Sequence, residues 1–313
     1  MSRVPASKSR RATASNPGVA MDIAGLIQTS MLSVAVAGLY AAVASGLTLE
    51  FGVTRIVNFA HGEFVMLGAF ITFFLYSDYG FPFVACVAVA GTAMALLSYL
   101  VFVTFLARVL KQDEHNQFLA TLGLSILIVN VAAVLWTPDA RSMHPENLLP
   151  ALQLGGATLP GNNLLVVLVS AVMYGALILF MRYTRYGIQM RMASSDIDLA
   201  TLCGVDVNRV FTLAFVIGGF TAGVAGSLVA LVLYVHPLVG LDLVIRAFAI
   251  VALGGLGSIA GAMIGALILS IAEGFVSTFV PQGGSWGFGV AFVLILLVLI
   301  IRPTGFFGRS IQA

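Results

Sequence analysis

Residues 25–50 read GLIQTSMLSVAVAGLYAAVASGLTLE, an apolar run whose first charged side chain is its last residue, Glu50. A helix that crosses a bilayer needs about 20 mostly apolar residues, so this stretch is long enough to span one. Further stretches of similar character occur at 62–77, 82–106, 117–136, 163–182, 209–235, 243–256, 259–280 and 287–301. Two of them, 62–77 and 243–256, are short for a full crossing, and we interpret them as half-helices of broken spans, a feature typical of transporters.

The composition of the whole chain favours the same class of protein. Of its 313 residues, 60% are hydrophobic and only 9% are charged, whereas about a quarter of the residues in a soluble domain are charged. Because so few charges cannot cover a surface exposed to water, most of the surface must face a lipid bilayer. We therefore predict an all-α fold, a polytopic membrane helical bundle of about eight or nine spans with broken or half-length helices. The net charge of +2 gives no electrostatic footprint for nucleic acid.

The chain divides into three regions. Residues 1–22 form a basic tail without apolar periodicity, which we expect to be disordered. The apolar run after this tail is longer than a cleavable signal sequence, so we expect the first helix to be retained. Residues 23–308 form the transmembrane domain, which contains a helical connector at about 184–208, and residues 309–313 form a C-terminal tail.

The basic residues of the loops predict which side of the membrane each loop occupies, because short cytoplasmic loops are enriched in Lys and Arg. The three basic clusters are Arg182, Arg185, Arg191 and Arg209; Arg108 and Lys111; and Arg302 and Arg309. We expect these clusters to be cytoplasmic and the loop 137–162 to lie outside. Nine full spans would then place the N-terminus outside as well, although its tail is basic. Either that tail is translocated, or one short segment is re-entrant and the total is eight.

A polar segment interrupts the apolar pattern between the first two candidate helices. Its polar side chains are Glu50, Arg55, Asn58, His61 and Glu63. Ionisable groups near hydrocarbon are costly unless they are paired or hydrated, so they usually face a cavity or one another. We expect Arg55 to neutralise Glu50 or Glu63. Two interpretations stay open: the segment lines or gates a polar route, or it is an interfacial loop at the end of the first span.

Glu273 is a further candidate for the polar route, because apolar residues flank it on both sides, and Arg246 is its candidate partner. Other isolated polar residues inside spans are Gln28, Asn130 and Asp242. For each of them, local bonding to the backbone or to water is the alternative explanation. The His residues of the chain form no recognisable ligand pair, and we predict neither a metal site nor a cofactor.

The connector has the pattern of a short amphipathic helix. Ser194 or Ser195 can cap a helix whose first turns carry Asp196 and Asp198, where acidic side chains suit the helix dipole. Gly204 stands where such a helix would stop. A helix presented to the cytoplasm is a docking element for a soluble partner. The alternative is an interfacial helix that lies on the membrane.

Glycines at helical spacing predict close packing of the spans, since small residues let helix backbones approach in lipid. These glycines are Gly219, Gly223 and Gly226 in one span, and Gly257, Gly261 and Gly265 in another. They indicate either a bundle around a pathway or ordinary bundle packing. The glycine run at 254–261 lacks the strand–helix context of a nucleotide-binding loop, and the sequence contains no phosphate loop. If ATP drives this protein, another chain must hydrolyse it.

Several segments resemble the branched-chain amino-acid permeases of ATP-binding-cassette importers, in the smaller of the two paired permease types. The stretch GLTLEFGVTRIVNFAHGEFVMLGAF at 46–70, with its NFAHGE core, is similar to the N-terminal signature of that family. The runs AIVALGGLGSIAGAMIGALIL at 249–269 and RPTGFFG at 302–308 also fit. The connector sequence at 191–210 resembles the family's cytoplasmic coupling loop. The matching positions are Arg191, Ala193, Asp196, Ala200 and Gly204.

This resemblance implies a transport subunit rather than an enzyme, without a cofactor, in the inner membrane of a bacterium. A second permease subunit of the LivM type would complete the pore. Cytoplasmic ABC ATPase subunits would dock on the coupling loop, and a periplasmic substrate-binding protein would deliver leucine, isoleucine or valine. The residues that would form the translocation path or its gate are Glu50, Asn58, His61, Glu63 and Glu273.

Other functions stay open at this point. Permeases for urea, short amides or other amino acids look similar to this sequence. A secondary transporter or channel that works alone would need a tight ion-coupling site inside the membrane, for which Glu273 is the single candidate. An integral-membrane enzyme ranks last, because the sequence shows no catalytic or metal cluster.

Overall fold

A computed structural model describes residues 23–110, 112–143, 145, 148–154, 156–302 and 305–307. The basic tail at 1–22 and the C-terminal tail at 309–313 lie outside the described residues.

Helices form most of the described chain. In chain order they are α1 (Ile23–Thr54), α2 (His61–Ser77), α3 (Phe83–Val101), α4 (Ala107–Val109), α5 (Glu114–Trp136), α6 (Gly161–Tyr183), α7 (Arg185–Ser195), α8 (Ile197–Leu202), α9 (Val207–Val232), α10 (Val239–Gly254), α11 (Ile259–Phe279) and α12 (Gly287–Ile301). A π-helical turn, Phe102–Leu106, joins α3 to α4, and a 3-10 turn, Gly283–Trp286, precedes α12.

The lengths of these helices confirm the predicted all-α membrane bundle. Within the described residues, seven helices are long and apolar enough to cross a membrane when α3 is joined to α4 and the 3-10 turn is joined to α12. The helices α2 and α10 have only 17 and 16 residues. They coincide with the two segments that the sequence predicts to be short.

A small β-hairpin, which the sequence analysis did not anticipate, lies in the loop between α5 and α6. Its strands β1 (Leu152–Leu154) and β2 (Ala157–Leu159) pair antiparallel. Gly156 stands in the turn with a φ of 85°, a conformation that glycine adopts without strain. Nearby, Arg141 exchanges two backbone hydrogen bonds with Val235, at 2.9 and 2.8 Å. This loop and the loop after α9 therefore lie at the same end of the bundle.

The bundle has two ends that we name by what lies there. At the hairpin end, the side-chain amide of Gln28 near the start of α1 exchanges two hydrogen bonds with the backbone of Thr158, at 2.9 and 2.8 Å. At the connector end, Gly52 near the end of α1 lies against Gly257 in the turn between α10 and α11, and α7 packs against α1. The helix α1 therefore runs from the hairpin end to the connector end.

The centre of the bundle is formed by α1, α2 and α9, which bury most of their residues. Glycines bring their backbones together: a Cβ atom added to Gly68 of α2 would lie 2.8 Å from the Cα atom of Gly223 in α9. The outer helices α5 and α12 expose long apolar side chains instead, such as Val134 at 84% and Ile300 at 74%. Such an apolar exterior is stable in lipid and not in water.

Candidate functional site

The segment between α1 and α2 folds back and buries the carboxylate of Glu50, which lies near the end of α1. Glu50, Asn58 and His61 are all 0% exposed. The side-chain amide of Asn58 donates to Oε2 of Glu50 at 2.8 Å, and Nδ1 of His61 lies 3.2 Å from Oε1. The other ring nitrogen of His61, Nε2, lies 3.1 Å from the carbonyl oxygen of Val43 in α1. We call these three side chains the Glu50 cluster.

The hydrogen bonds of His61 fix the net charge of the Glu50 cluster. The carbonyl oxygen of Val43 can only accept, so Nε2 of His61 carries a proton. On the other side, either Nδ1 donates to an ionised Glu50, or a protonated Glu50 donates to Nδ1. The cluster is neutral overall in both states. A neutral, fully bonded cluster avoids the large cost of burying an isolated charge.

Two glycines, which lack a Cβ atom, leave space for the Glu50 cluster between α1, α2 and α9. A Cβ atom on Gly46 of α1 would lie 2.6 Å from Cε1 of His61 and 2.9 Å from the carbonyl oxygen of Gly218. A Cβ atom on Gly218 of α9 would overlap Oε1 of Glu50. Sequence reasoning missed both glycines, since nothing local to either of them points to a partner on another helix.

Arg55 does not neutralise either carboxylate, so that expectation is wrong. Its backbone has a φ of 60°, a conformation that is uncommon for a residue other than glycine. Its side chain is exposed, outside the Glu50 cluster. The partner of Glu50 is His61, 11 residues later in the chain.

Glu63 stands in the first turn of α2 and is 0% exposed. The hydroxyl of Ser125 in α5 donates to its Oε1 atom at 3.0 Å. Its Oε2 atom has no hydrogen-bond partner within the described residues, and it lies close to Gly240 of α10. The N-terminus of α2 favours negative charge at this position through the helix dipole.

Glu273 of α11 lies nearer the hairpin end, in a second polar group. Nε of Arg246 donates to its Oε1 atom at 3.1 Å, and the hydroxyl of Tyr40 donates to its Oε2 atom at 2.7 Å. The ring of Phe288 in α12 lies 4.6 Å from the guanidinium carbon of Arg246. The side chains of Arg246 and Glu273 are 18% and 12% exposed. The pairing that the sequence suggested is present, whereas the hydroxyl of Tyr40 is a partner to which no sequence pattern pointed.

Two of the other isolated polar side chains form bonds, that of Asn130 within its own helix and that of Gln28 at the hairpin end. Asn130 donates to the carbonyl oxygen of Ile126 in its own helix at 2.7 Å. The backbone carbonyl of Asp242 accepts from Nη1 of Arg246 at 3.1 Å. Within the described residues, no group of three or more His, Cys, Asp or Glu side chains is arranged to hold a metal ion.

The connector forms two short helices rather than one. Thr184 caps α7, because its Oγ1 atom accepts from the backbone N–H of Gly187 at 3.0 Å. Asp196 caps α8, because its Oδ1 atom accepts from the backbone N–H of Leu199 at 2.9 Å. Gly204, with a φ of 80°, follows the end of α8, where the sequence predicts a helix stop.

Ser194 and Ser195 do not cap the following helix, contrary to expectation. Both hydroxyls donate to the carbonyl oxygen of Arg191 inside α7, each at 3.0 Å. Asp196 takes the capping position instead, because the chain becomes extended there, with φ −158° and ψ 120°. An extended residue with a short acidic side chain suits an N-cap.

The inner face of the connector packs on the bundle, and its outer face is free in this chain. Met190, Ala193 and Ala200 are buried in one apolar cluster with Leu49 and Val53 of α1. Its outward side chains include Arg191, Asp196, Leu199 and Leu202, the last at 83% exposure. The connector therefore rests directly on the part of α1 that carries Glu50.

A groove of about 420 Å³ opens beside this contact, between α1, α6, α7 and the turn before α11. Thr48 and Gly52 form part of its α1 wall, and Arg182 and Arg191 line it from α6 and α7. The connector end thus combines a packed apolar contact with a basic surface.

The predicted packing glycines lie where helices touch. A Cβ atom on Gly219 would lie 2.6 Å from the carbonyl oxygen of Met94 in α3, and one on Gly223 would overlap the backbone of α3 at Ala90. Gly261 meets the backbone of Gly254, as would be expected at the tight turn between α10 and α11. The three remaining glycines of this set, Gly226, Gly257 and Gly265, approach Val65, Gly52 and Ile250.

Comparison with known proteins identifies the family. Residues 30–299 match the family described as branched-chain amino acid transport system / permease component. The chain is 31% identical to the high-affinity branched-chain amino acid transport system permease protein LivH of Escherichia coli (strain K12), over 90% of this chain and 96% of that protein. It is also 31% identical to the protein of the same description, BraD, of Pseudomonas aeruginosa, with the same coverage of both chains.

A more distant relative and a solved structure complete the comparison. The probable branched-chain amino acid transport permease protein LivH of Methanocaldococcus jannaschii is 25% identical over 85% of this chain and 87% of its own length. PsaBC from Streptococcus pneumoniae in complex with Fab aligns with 90% of this chain and 94% of its own, at a TM-score of 0.48 and 15% identity. The family match and the LivH and BraD identities confirm the resemblance carried by the NFAHGE segment. The chain belongs to the family of branched-chain amino acid transport permeases, multi-pass membrane subunits that carry out transport and are not enzymes.

Proposed function

We propose that this chain is the permease subunit of an ATP-binding-cassette importer for branched-chain amino acids in a bacterial inner membrane. It forms the translocation pathway together with a second permease chain, of the LivM type. A periplasmic binding protein delivers the substrate, and cytoplasmic ATPase subunits drive the cycle. The names of the relatives LivH and BraD support the substrate class.

The contact between the connector and α1 carries the coupling part of this proposal. Met190 and Ala193 of α7 share a buried cluster with Leu49 and Val53, on either side of Glu50. An ATPase that binds the exposed face of α7 and α8 and displaces these helices would therefore also move the end of α1. Packed side chains of this kind transmit displacement between two sites. The positions assigned to this coupling role are Arg191, Ala193, Asp196, Ala200 and Gly204.

The Glu50 cluster acts as a gate rather than as the wall of an open route. Its three side chains are fully buried and bonded to one another, so they fasten α2 to α1 in this conformation. Separation of α1 from α2 would expose Glu50 and His61 together. Glu63, in the first turn of α2, would move with them.

In the part of the chain that the structure describes, nine crossing segments fit the arrangement of the helices, and α2, α10 and α12 are the short ones. Successive segments alternate between the hairpin end and the connector end of the bundle. The basic residues Arg182, Arg185 and Arg191 lie at the connector end, which supports a cytoplasmic location for it. The start of α1, where Gln28 meets the hairpin, is then on the outer side.

Uptake by the reconstituted importer tests the substrate and the energy source. Vesicles that contain both permeases and the ATPases, with the cognate binding protein, should accumulate labelled leucine only when ATP is present. Urea or acetamide should not compete with leucine. Transport of leucine by this chain without any ATPase subunit would show a secondary transporter and overturn the proposal.

Substitution of Leu202 tests the coupling surface. Leu202→Glu places a charge on a side chain that is 83% exposed, so the fold of this chain should not change. We expect uptake to fall at least about 10-fold because the charge enters an apolar contact with the ATPase. The matched variant Leu202→Met should keep uptake near the wild-type rate. Full uptake by Leu202→Glu would contradict docking of the ATPase on α8.

A further inference from the structure

The ion pair of Arg246 and Glu273 differs from an ordinary structural ion pair because both side chains stay partly exposed. Both side chains lie inside the bundle but keep 18% and 12% of their surfaces exposed. Arg246 donates through Nε to Glu273 and through Nη1 to the carbonyl oxygen of Asp242. Its Nη2 atom has no protein partner within the described residues and lies near Gly287, where an added Cβ atom would be 3.0 Å away. A guanidinium group has five N–H donors in a planar fork, so donors remain for a second carboxylate.

We propose that Arg246 and Glu273 bind the α-carboxylate and the α-ammonium group of an amino acid on its way through the bundle. In the resting state each group neutralises the other. A passing amino acid replaces this ion pair with two new contacts. Its carboxylate contacts Arg246, and its ammonium group contacts Glu273. This assignment rests on the proposed function, since it presumes that the cargo is an amino acid.

The exchange favours zwitterions for a physical reason. Separation of an ion pair inside a protein is costly when one charge is left without a partner, and nearly neutral when both charges find new ones. A carboxylic acid would satisfy Arg246 and leave Glu273 unpaired. An amine would do the reverse. Only a zwitterionic amino acid satisfies both groups. The pair therefore selects an amino acid over a carboxylic acid or an amine, each of which carries one of the two charged groups.

The neighbouring side chains hold the two charges in place during such an exchange. The hydroxyl of Tyr40 donates to Oε2 of Glu273, leaving Oε1 as the atom that changes partner. The ring of Phe288 lies 4.6 Å from the guanidinium carbon of Arg246 and covers it by a cation–π contact. The position of the pair also fits entry of cargo, because Glu273 lies six residues from the end of α11 at the hairpin end.

Removal of both charges tests the assignment. In the complete importer, Arg246→Met combined with Glu273→Leu replaces the pair with apolar side chains of similar size, a change that usually leaves a fold intact. We expect a folded complex with normal basal ATP hydrolysis and at least about a 10-fold loss of leucine uptake. The control variant Arg108→Met removes an exposed charge on α4, outside both the pair and the coupling loop, and should keep full uptake. Leucine uptake by the double variant within twofold of the wild type would show a purely structural pair and overturn the inference.

If the double variant fails to fold, ligand binding to the wild-type complex tests the inference. The ligands are leucine, an analogue without its amine and an analogue without its carboxylate. The assembled permeases and ATPases, without the binding protein, are heated with leucine, with 4-methylpentanoate or with isoamylamine. Leucine should raise the unfolding midpoint, whereas the compounds that lack the amine or the carboxylate should not. Equal shifts, or no shift with leucine, would overturn the inference. A wild-type importer that takes up no amino acid at all would instead refute the proposed function.

Discussion

Two carboxylates lie inside this bundle, and their surroundings differ in kind. Glu50 is 0% exposed and is bonded by Asn58 and His61, which lie 8 and 11 residues later in the chain. Glu273 is 12% exposed and is bonded by Arg246 and Tyr40, which come from two other helices. The surroundings of Glu50 are fully buried and come from one segment of the chain. Glu273 is held by helix packing and by a long, flexible side chain.

This difference separates a fixed contact from an exchangeable one. The Glu50 cluster has no surface open to a ligand, and its members are short side chains, one of them anchored to a backbone carbonyl. It can change only if α1 and α2 move apart. The Arg246–Glu273 pair can change by rotation of the arginine side chain alone. The two sites therefore predict different responses to substitution.

Loss of His61 should have the largest effect. His61→Ala leaves the carboxylate of Glu50 buried with only the amide of Asn58. With Glu50 ionised, this buried charge loses its partner, which costs about 3 to 5 kcal/mol. Denaturant unfolding of the purified protein in detergent measures this change in free energy.

Glu50→Gln is the matched variant for the same site. It removes the charge together with one hydrogen bond, so its cost should be smaller, about 1 to 2 kcal/mol. The double variant should then cost less than the sum of the two, because the interaction between Glu50 and His61 is lost only once. If His61→Ala costs less than Glu50→Gln, Glu50 is protonated in the cluster and not ionised.

Loss of Glu273 should have a smaller effect than loss of His61, although both remove one member of a pair. Glu273→Leu leaves Arg246 without its carboxylate, but 18% of the arginine side chain is exposed. Partial solvation reduces the cost to about 2 to 3 kcal/mol. Adding Arg246→Met should recover most of this loss in the same unfolding measurement. A further loss on adding the second substitution would mean that Arg246 is stabilised by other contacts.

The sequence predicted the helices well because the length of an apolar run is a local property. The two segments expected to be short, 62–77 and 243–256, became α2 and α10. The stop at Gly204 was also local, since a glycine after a helix readily adopts a positive φ. Each of these features depends on residues within a few positions of one another.

The partners of the carboxylates were less predictable because they depend on how the chain folds back. Arg55 is closer to Glu50 in the sequence than His61 is, and it carries the opposite charge. The turn at 55–60 nevertheless directs it outward and brings His61 against α1. That return is possible only because Gly46 and Gly218 leave room, and no local pattern marks a glycine as the neighbour of a distant imidazole.

Substitution of the glycines beside the two sites tests whether the Glu50 cluster is more rigid than the Arg246–Glu273 pair. Gly46→Ala would press a methyl group against Cε1 of His61 and the backbone of α9, which cannot yield easily. We expect a cost of about 2 kcal/mol. Gly287→Ala meets only Nη2 of Arg246, the far end of a flexible side chain, at 3.0 Å. Its cost should be about 0.5 kcal/mol or less. Similar costs in the unfolding measurement would contradict the distinction between a fixed and a flexible site.

Loss of the hydroxyl of Tyr40 should have a smaller effect than loss of Glu273. Tyr40→Phe removes the bond of 2.7 Å to the carboxylate of Glu273 and leaves the aromatic ring in place. A hydrogen bond to a charged group contributes about 1.5 kcal/mol or more, whereas one to a neutral group contributes about 1 kcal/mol. Tyr174→Phe is the matched control, because its hydroxyl donates to the neutral carbonyl oxygen of Ile259 at 3.3 Å. Unfolding in detergent should therefore show a larger loss for Tyr40→Phe than for Tyr174→Phe. If the order is reversed, Glu273 does not depend on Tyr40, and the carboxylate is held by Arg246 alone.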